Sequence, residues 1–395
     1  MADVPKKRVL LIFNKSSSSF PAYTWMIARG GLVDVDVLTP PTHPVRCSKW
    51  VIEAHAYETP EGFTLKLEGL LNSDCYDAIH AIDESSRELI FASREEDWLK
   101  PYLPFAHGSL LFDACRDKVL FHEWCESHEI PVPLASRADS WDEVIQRSTS
   151  MSYPFILKGA EGSRGVEVHL IRCPSDLADV PRHSSIQKHW LLQEYIDGAV
   201  GYTSIIAKDG KLYGTSSCYK HVALSGGFGP AAVLRYVDND ELERIARMVA
   251  EKSGLTGIGG FDWMESPEGE YKIIDPHLGR GPVTAAVSCH VGIDLGRAYF
   301  CSLSGEEPEP FSTAENRVVW VMPQMINILF DGRFLEALKK SNPLNSNVSI
   351  FWYGDGDFRV FWKIAFPLFF GCMRVLIGAL RRRAVSSFER LFGKA

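Results

Sequence analysis

A chain of 395 residues, 46% hydrophobic and 23% charged, is long enough for two or three domains with ordinary cores. That composition excludes a mainly disordered, collagen-like or coiled-coil protein, and a net charge of −8 excludes a globally basic nucleic-acid binder. The nine cysteines are odd in number and form no Cys-x-x-Cys pair, so they read as reduced thiols of a cytoplasmic protein.

Residues 9–13 are a short apolar run, expected as a buried parallel strand and too short for a secretory signal. The serine-rich stretch 14–20 reads as the following loop. Residues 23–29 read as a helix stopped by Gly30 and Gly31, and 33–38 as a second strand ended by Pro40 and Pro41. Residues 76–82 read as a third strand. Strand, loop, helix, strand is the order of an open α/β layer, which places a first domain at 1–112.

Residues 117–129 are expected to be helical, with Pro131 and Pro133 ending them. Residues 154–159 form a strand running into a glycine-rich turn, and 167–171 and 191–196 are two more strands. Residues 203–207 and 211–218 flank Lys208, Asp209 and Gly210 as a hairpin. Leu242, Ile245, Ala246 and Val249 give 240–253 a helical period, with Gly254 as its stop. Residues 260–264 and 270–274 flank another turn. This block, 113–305, reads as α+β with antiparallel strands.

Its motifs suit nucleotide chemistry. Lys158 at a strand end offers a point charge to a phosphate. Gly159, Gly162 and Gly165 let a loop bring backbone N–H groups close to phosphate oxygens. Neither the Walker pattern nor the Rossmann glycine fingerprint is present. An extended Glu194-Tyr195-Ile196 can offer backbone groups to an adenine edge. Asp262 and Asp275, on two strands joined by a turn, can hold Mg²⁺, which prefers oxygen ligands and substrate phosphates.

In this order and spacing the motifs resemble the ATP-grasp superfamily, nearest its carboxylate–amine ligase branch, over about residues 1–305. The resemblance implies an α/β plus α+β fold: an N-terminal Rossmann-like (pre-ATP-grasp) domain, then a two-lobed ATP-grasp domain clasping ATP. It implies that Lys118 and Lys158 contact phosphates. Gly159, Gly162, Ser163 and Gly165 would cover them, and Gln193, Glu194, Tyr195 and Ile196 would recognise adenine. It implies Asp262, Asp275 and His277 at the metal, Mg²⁺ or in its place Mn²⁺. Such ligases usually show Glu-x-Asn-x-Arg where this chain has Asp275-Pro276-His277-Leu278-Gly279-Arg280. The carboxylate is shorter, His277 replaces an amide and Arg280 comes one residue late, free to hold a substrate anion or acyl-phosphate. Lys220, His221, Gly226 and Gly227 fall where similar ligases approach the acceptor substrate.

The implied reaction joins a small-molecule carboxylate to an amine through an acyl-phosphate, releasing ADP and phosphate, with Lys158 and Arg280 as catalytic groups. A thiol or hydroxyl acceptor, or simple phosphoryl transfer, is the alternative within ATP chemistry. A nucleotide-binding scaffold at a membrane is the alternative outside it.

The remainder, 306–395, reads as a C-terminal extension ending in an amphipathic helix at about 358–383. From 358 to 395 there are eight Lys or Arg against one Glu. A basic, aromatic, amphipathic segment on an acidic body suits peripheral attachment to the inner face of a membrane. Packing on the core or in a homodimer interface is the rival reading, and a membrane span the third.

Overall fold

Strands that are apolar on both faces must be covered on both faces, and the first sheet begins with such a strand. β1 (Lys7–Ile12) buries Val9, Leu10, Leu11 and Ile12 completely. It lies between β2 (Val33–Thr39) and β4 (Ala78–Ala81), with β3 (Ala54–Ala56) outside β2, and all four strands are parallel. The expected strands at 9–13, 33–38 and 76–82 are β1, β2 and β4; β3 is too short to leave a period. The fold is that of a computed structural model describing residues 6–15, 21–73, 75–161, 167–181, 189–224, 229–308, 316–330, 332–352, 356–364 and 366.

A small antiparallel sheet follows. Its order is β5 (Ala135–Ala138), β8 (Trp190–Glu194), β6 (Phe155–Gly159) and β7 (Val168–Ile171). The helix Lys118–Ser127 precedes it, and the Asp117 carboxylate caps that helix by accepting from the Val119 and Leu120 N–H groups.

The large sheet has seven strands. Its centre is the hairpin β9 (Ala199–Lys208) and β10 (Lys211–Ala223), with β11 (Ala231–Val237) beside β10. On the other side β12 (Gly257–Glu265) pairs with β9, and β13 (Tyr271–Pro276) with β12. β14 (Val318–Val321) and β15 (Val348–Phe351) come from the segment after residue 305 and extend the sheet beyond β11. The helix Asp240–Ser253 covers one face of this sheet with Leu242, Ile245, Ala246 and Val249. Gly254 ends it in the left-handed conformation.

A helix begins at 358 and is described to 364. Val360 and Ile364 are its buried residues, and Asp357 just before it accepts a hydrogen bond from the Ser48 hydroxyl of the first domain. Except for 366, the rest of the helix expected at 358–383 lies outside the described residues. Among the described residues no helix is long and apolar enough to cross a membrane.

The first domain and the large sheet share one core. Leu10 and Ile12 belong to the same apolar cluster as Ile205, Leu242 and Phe261. Within this joint His80 of β4 accepts a hydrogen bond at Nε2 from the Ile258 N–H at 3.1 Å. Burial pulls the His80 imidazole down from 6.5 to about 4. Between those pH values the unfolded chain binds a proton that the folded chain refuses. Stability is therefore complete above pH 6.5 and falls as the pH drops toward 4, by about 3 kcal/mol. Urea unfolding from pH 7 to 4 checks this: His80→Gln, which cannot titrate, should show a flatter profile than the wild type.

Candidate functional site

Lys158 lies one residue before the end of β6 and is only 6% exposed. Its ammonium donates to the Ile274 carbonyl at 3.0 Å. That carbonyl is available because of a bulge. Asp262 faces Asp275 and Trp263 faces Ile273, so Ile274 is the extra residue of β13. Burial pulls the Lys158 ammonium down to about 8; the Lys118 charge adds to this, while Asp275 and Asp262 oppose it. Lys118 opens its helix, and its backbone N–H donates to the Ala160 carbonyl at 2.9 Å. The helix start is thereby tied to the end of β6, which brings the two lysines into one electrostatic neighbourhood.

Two carboxylates directly opposite each other repel, so Asp262 and Asp275 demand cations. The Lys220 ammonium donates to Asp262 Oδ2, and His277 Nε2 lies 3.3 Å from Oδ1. Burial alone would raise the Asp262 carboxyl. Lys220 and His277 outweigh it and hold the group below the ordinary carboxylate range. Asp275 is more open, its side chain 36% exposed, with His277 Nε2 3.8 Å away. The Tyr202 ring stacks on His277, centroids 5.0 Å apart. Burial, then the Arg280 charge, lower the His277 imidazole against the pull of Asp262 and Asp275.

Arg280 donates to His277 Nδ1. The next two residues fasten it to the first domain: the Gly281 N–H donates to the Ala81 carbonyl at 2.9 Å, and the Tyr23 hydroxyl donates to the Pro282 carbonyl. A Cβ at Gly281 would come within 2.7 Å of the Tyr23 ring, so glycine permits this close approach. Ala81 is the last residue of β4. Arg280 therefore sits beside the carboxyl ends of the parallel strands, where open α/β sheets bind ligands.

In the expected adenine segment, the Glu194 carboxylate accepts from Lys272 at 2.8 Å and from the Leu134 N–H at 3.0 Å. Its own N–H donates to the Leu134 carbonyl. Gln193 and Ile196 are buried and Tyr195 is partly exposed. The Gly159 N–H is spent on the Glu167 carbonyl at 3.0 Å. Gly162, Ser163, Gly165, Gly226 and Gly227 lie outside the described residues.

The structure thus brings Lys118, Lys158, Lys220, Asp262, Asp275, His277 and Arg280 together. His221 stands apart. The register shift between Lys220 and Val222 leaves it unpaired, and its Nε2 meets the Lys340 carbonyl at 3.2 Å. Sequence reasoning missed Lys272, Tyr202 and Tyr23, because nothing local announces a partner 75 to 259 residues away. Chemically, Asp275 offers an open carboxylate beside a buried lysine, which suits one hard divalent cation shared with nucleotide phosphates. Asp262 has both oxygens engaged.

Residues 115–275 match the model of the ATP-grasp domain. A search of curated proteins gave no match. Among solved structures, the chain is similar to N5-carboxyaminoimidazole synthetase from Staphylococcus aureus complexed with ADP. Identity is 12% and the TM-score 0.62, over 85% of this chain and 88% of that one. It is also similar to the biotin carboxylase domain of Hydrogenobacter thermophilus 2-oxoglutarate carboxylase, in complex with MgADP, ADP and bicarbonate. There identity is 14% and the TM-score 0.58, over 78% and 72% of the two chains. The L-amino acid ligase of Bacillus licheniformis matches at 13% identity and a TM-score of 0.55, over 76% and 74%.

Proposed function

Because the chain carries an ATP-grasp domain within an ATP-grasp fold, we propose that it is an ATP-dependent ligase that joins a carboxylate to an amine. The observation that carries this reading is the convergence of Lys158 and Lys118 on the Asp262–Asp275 pair, with Arg280 at the edge of the first sheet. In this reading a substrate carboxylate oxygen attacks the γ-phosphorus of ATP, the bond to the β-phosphate bridging oxygen breaks, and ADP leaves. The amine then attacks the acyl carbon of the acyl-phosphate, loses a proton and expels phosphate.

Lys158 and Lys118 neutralise the charge that moves onto the β-phosphate, and Arg280 holds the carboxylate in line. Such transfer depends mainly on positioning and electrostatic stabilisation. Asp275 would hold Mg²⁺, which when bound neutralises phosphate charge. What supports the use of ATP and magnesium is the pair of neighbours solved with ADP and MgADP.

The test is product analysis. The purified chain is incubated with Mg²⁺, ATP and pooled small carboxylates and amino acids. ADP and phosphate should rise only with particular pools; AMP and pyrophosphate would overturn the mechanism.

We also propose that the C-terminal segment docks on an anionic membrane surface. Phe358 and Trp362, four residues apart on one helix face, are 69% and 60% exposed, while Val360 and Ile364 anchor the other face. Arg359 and Lys363 flank them in a stretch, 358–395, rich in Lys and Arg. Co-sedimentation with phosphatidylserine vesicles should weaken about tenfold in Phe358→Ala/Trp362→Ala. Equal binding by the variant, or equal binding to neutral vesicles, would overturn it.

A further inference from the structure

We infer that this centre takes a single divalent cation, on Asp275, and that the Lys220 ammonium holds the place of a second on Asp262. The inference rests on the ATP-site reading above and deepens it.

A carboxylate oxygen keeps a second lone pair when it accepts one hydrogen bond, so what bars a metal from Asp262 is the cation already seated against it. Lys220 occupies Oδ2 and His277 faces Oδ1. Lys220, Asp262 and His277 are all nearly buried, with side-chain exposures of 13 to 14%, so water does not readily replace either partner. Lys220 is not a surface residue that happens to bend inward. β9 lies between β10 and β12, so Lys220 reaches Asp262 across β9, its ammonium 6.0 Å from the Tyr202 ring centroid. The same ring carries His277 on its face.

His277 is committed as well. A guanidinium only donates, so His277 Nδ1 must accept from Arg280. The ring proton then sits on Nε2 and points at Asp262, and neither nitrogen keeps a lone pair for a metal. A chain of Arg280, His277, Asp262 and Lys220 results, each link a donor set against an acceptor. Asp275, across the strand pair, keeps an exposed oxygen and is free to take the one ion.

The experiment is a Mn²⁺ titration of the ADP complex, with free Mn²⁺ counted by electron paramagnetic resonance and ADP binding followed by calorimetry. The wild type should hold one Mn²⁺ per bound ADP. Asp275→Asn should lose it and Asp262→Asn should keep it. In Lys220→Met the vacated Asp262 oxygen should admit a second ion, raising the count to two. Two ions in the wild type, an unchanged count of one in Lys220→Met, or loss of the ion in Asp262→Asn would overturn the inference while leaving the ATP site standing. Failure of the wild type to bind ADP at all would overturn both.

Discussion

Lys158→Met should lose turnover by about 100- to 1000-fold, the usual cost of removing one preorganised charge from a phosphoryl-transfer or acyl-transfer site, without melting below the wild type. The two halves of this expectation have one cause. Burial that pulls Lys158 to about 8 from its ordinary 10.5 means that holding it charged at neutral pH opposes folding by about 3 kcal/mol. Methionine has a similar length and removes that penalty, but leaves the Ile274 carbonyl unpartnered, at about 1–3 kcal/mol. The two effects nearly cancel. ADP release and thermal unfolding, measured on the same preparation, check both. Turnover within tenfold of the wild type would remove Lys158 from the centre of the chemistry.

Gly257→Ala should cost about 3 kcal/mol or more in urea unfolding. Gly257 has φ +109°, and a Cβ there would lie 2.0 Å from His80 Cε1 and 2.6 Å from Nε2. The methyl group would meet a backbone shape that L residues rarely adopt and would push His80 away from the Ile258 N–H. Gly254→Ala is the control. That residue is also left-handed, with φ +62°, but nothing lies within 4 Å of its added Cβ, so its cost should stay near 1 kcal/mol. If the two variants unfold alike, the His80 joint does not hold the first domain to the large sheet as described.

Much of the fold was legible because its signals are local. The helix Asp240–Ser253 combines a cap, an apolar period and a glycine stop, and the bounds read from the sequence match the observed ones. β1 and β6 announce themselves as apolar runs. β14 and β15 do not, because their company is set by a sheet edge built far upstream. The site behaves in the same way. Lysine at a strand end and carboxylates flanking a turn can be seen in sequence. The β13 bulge that frees the Ile274 carbonyl cannot, since a bulge is a property of two strands in register. Likewise, adjacent Lys220 and His221 look equivalent in sequence, and only the register shift separates their roles. Lys272 escaped for a third reason: its meaning lies in Glu194, in a different sheet.

The order in which the chain is made bears on the large sheet. Leu234 of β11 pairs with Val319 of β14, 85 residues later. At a synthesis rate of about 5–20 residues per second, roughly 4 to 17 seconds pass between the two. Until β14 emerges from the ribosome, β11 is the outermost strand of a growing sheet, with Val233 still waiting for its cover of Val318 and Trp320. An unpaired apolar edge of this kind invites other nascent chains. The last strands to be made are therefore the ones that cover β11, and a ribosome stalled between residues 237 and 318 would leave that strand as the edge.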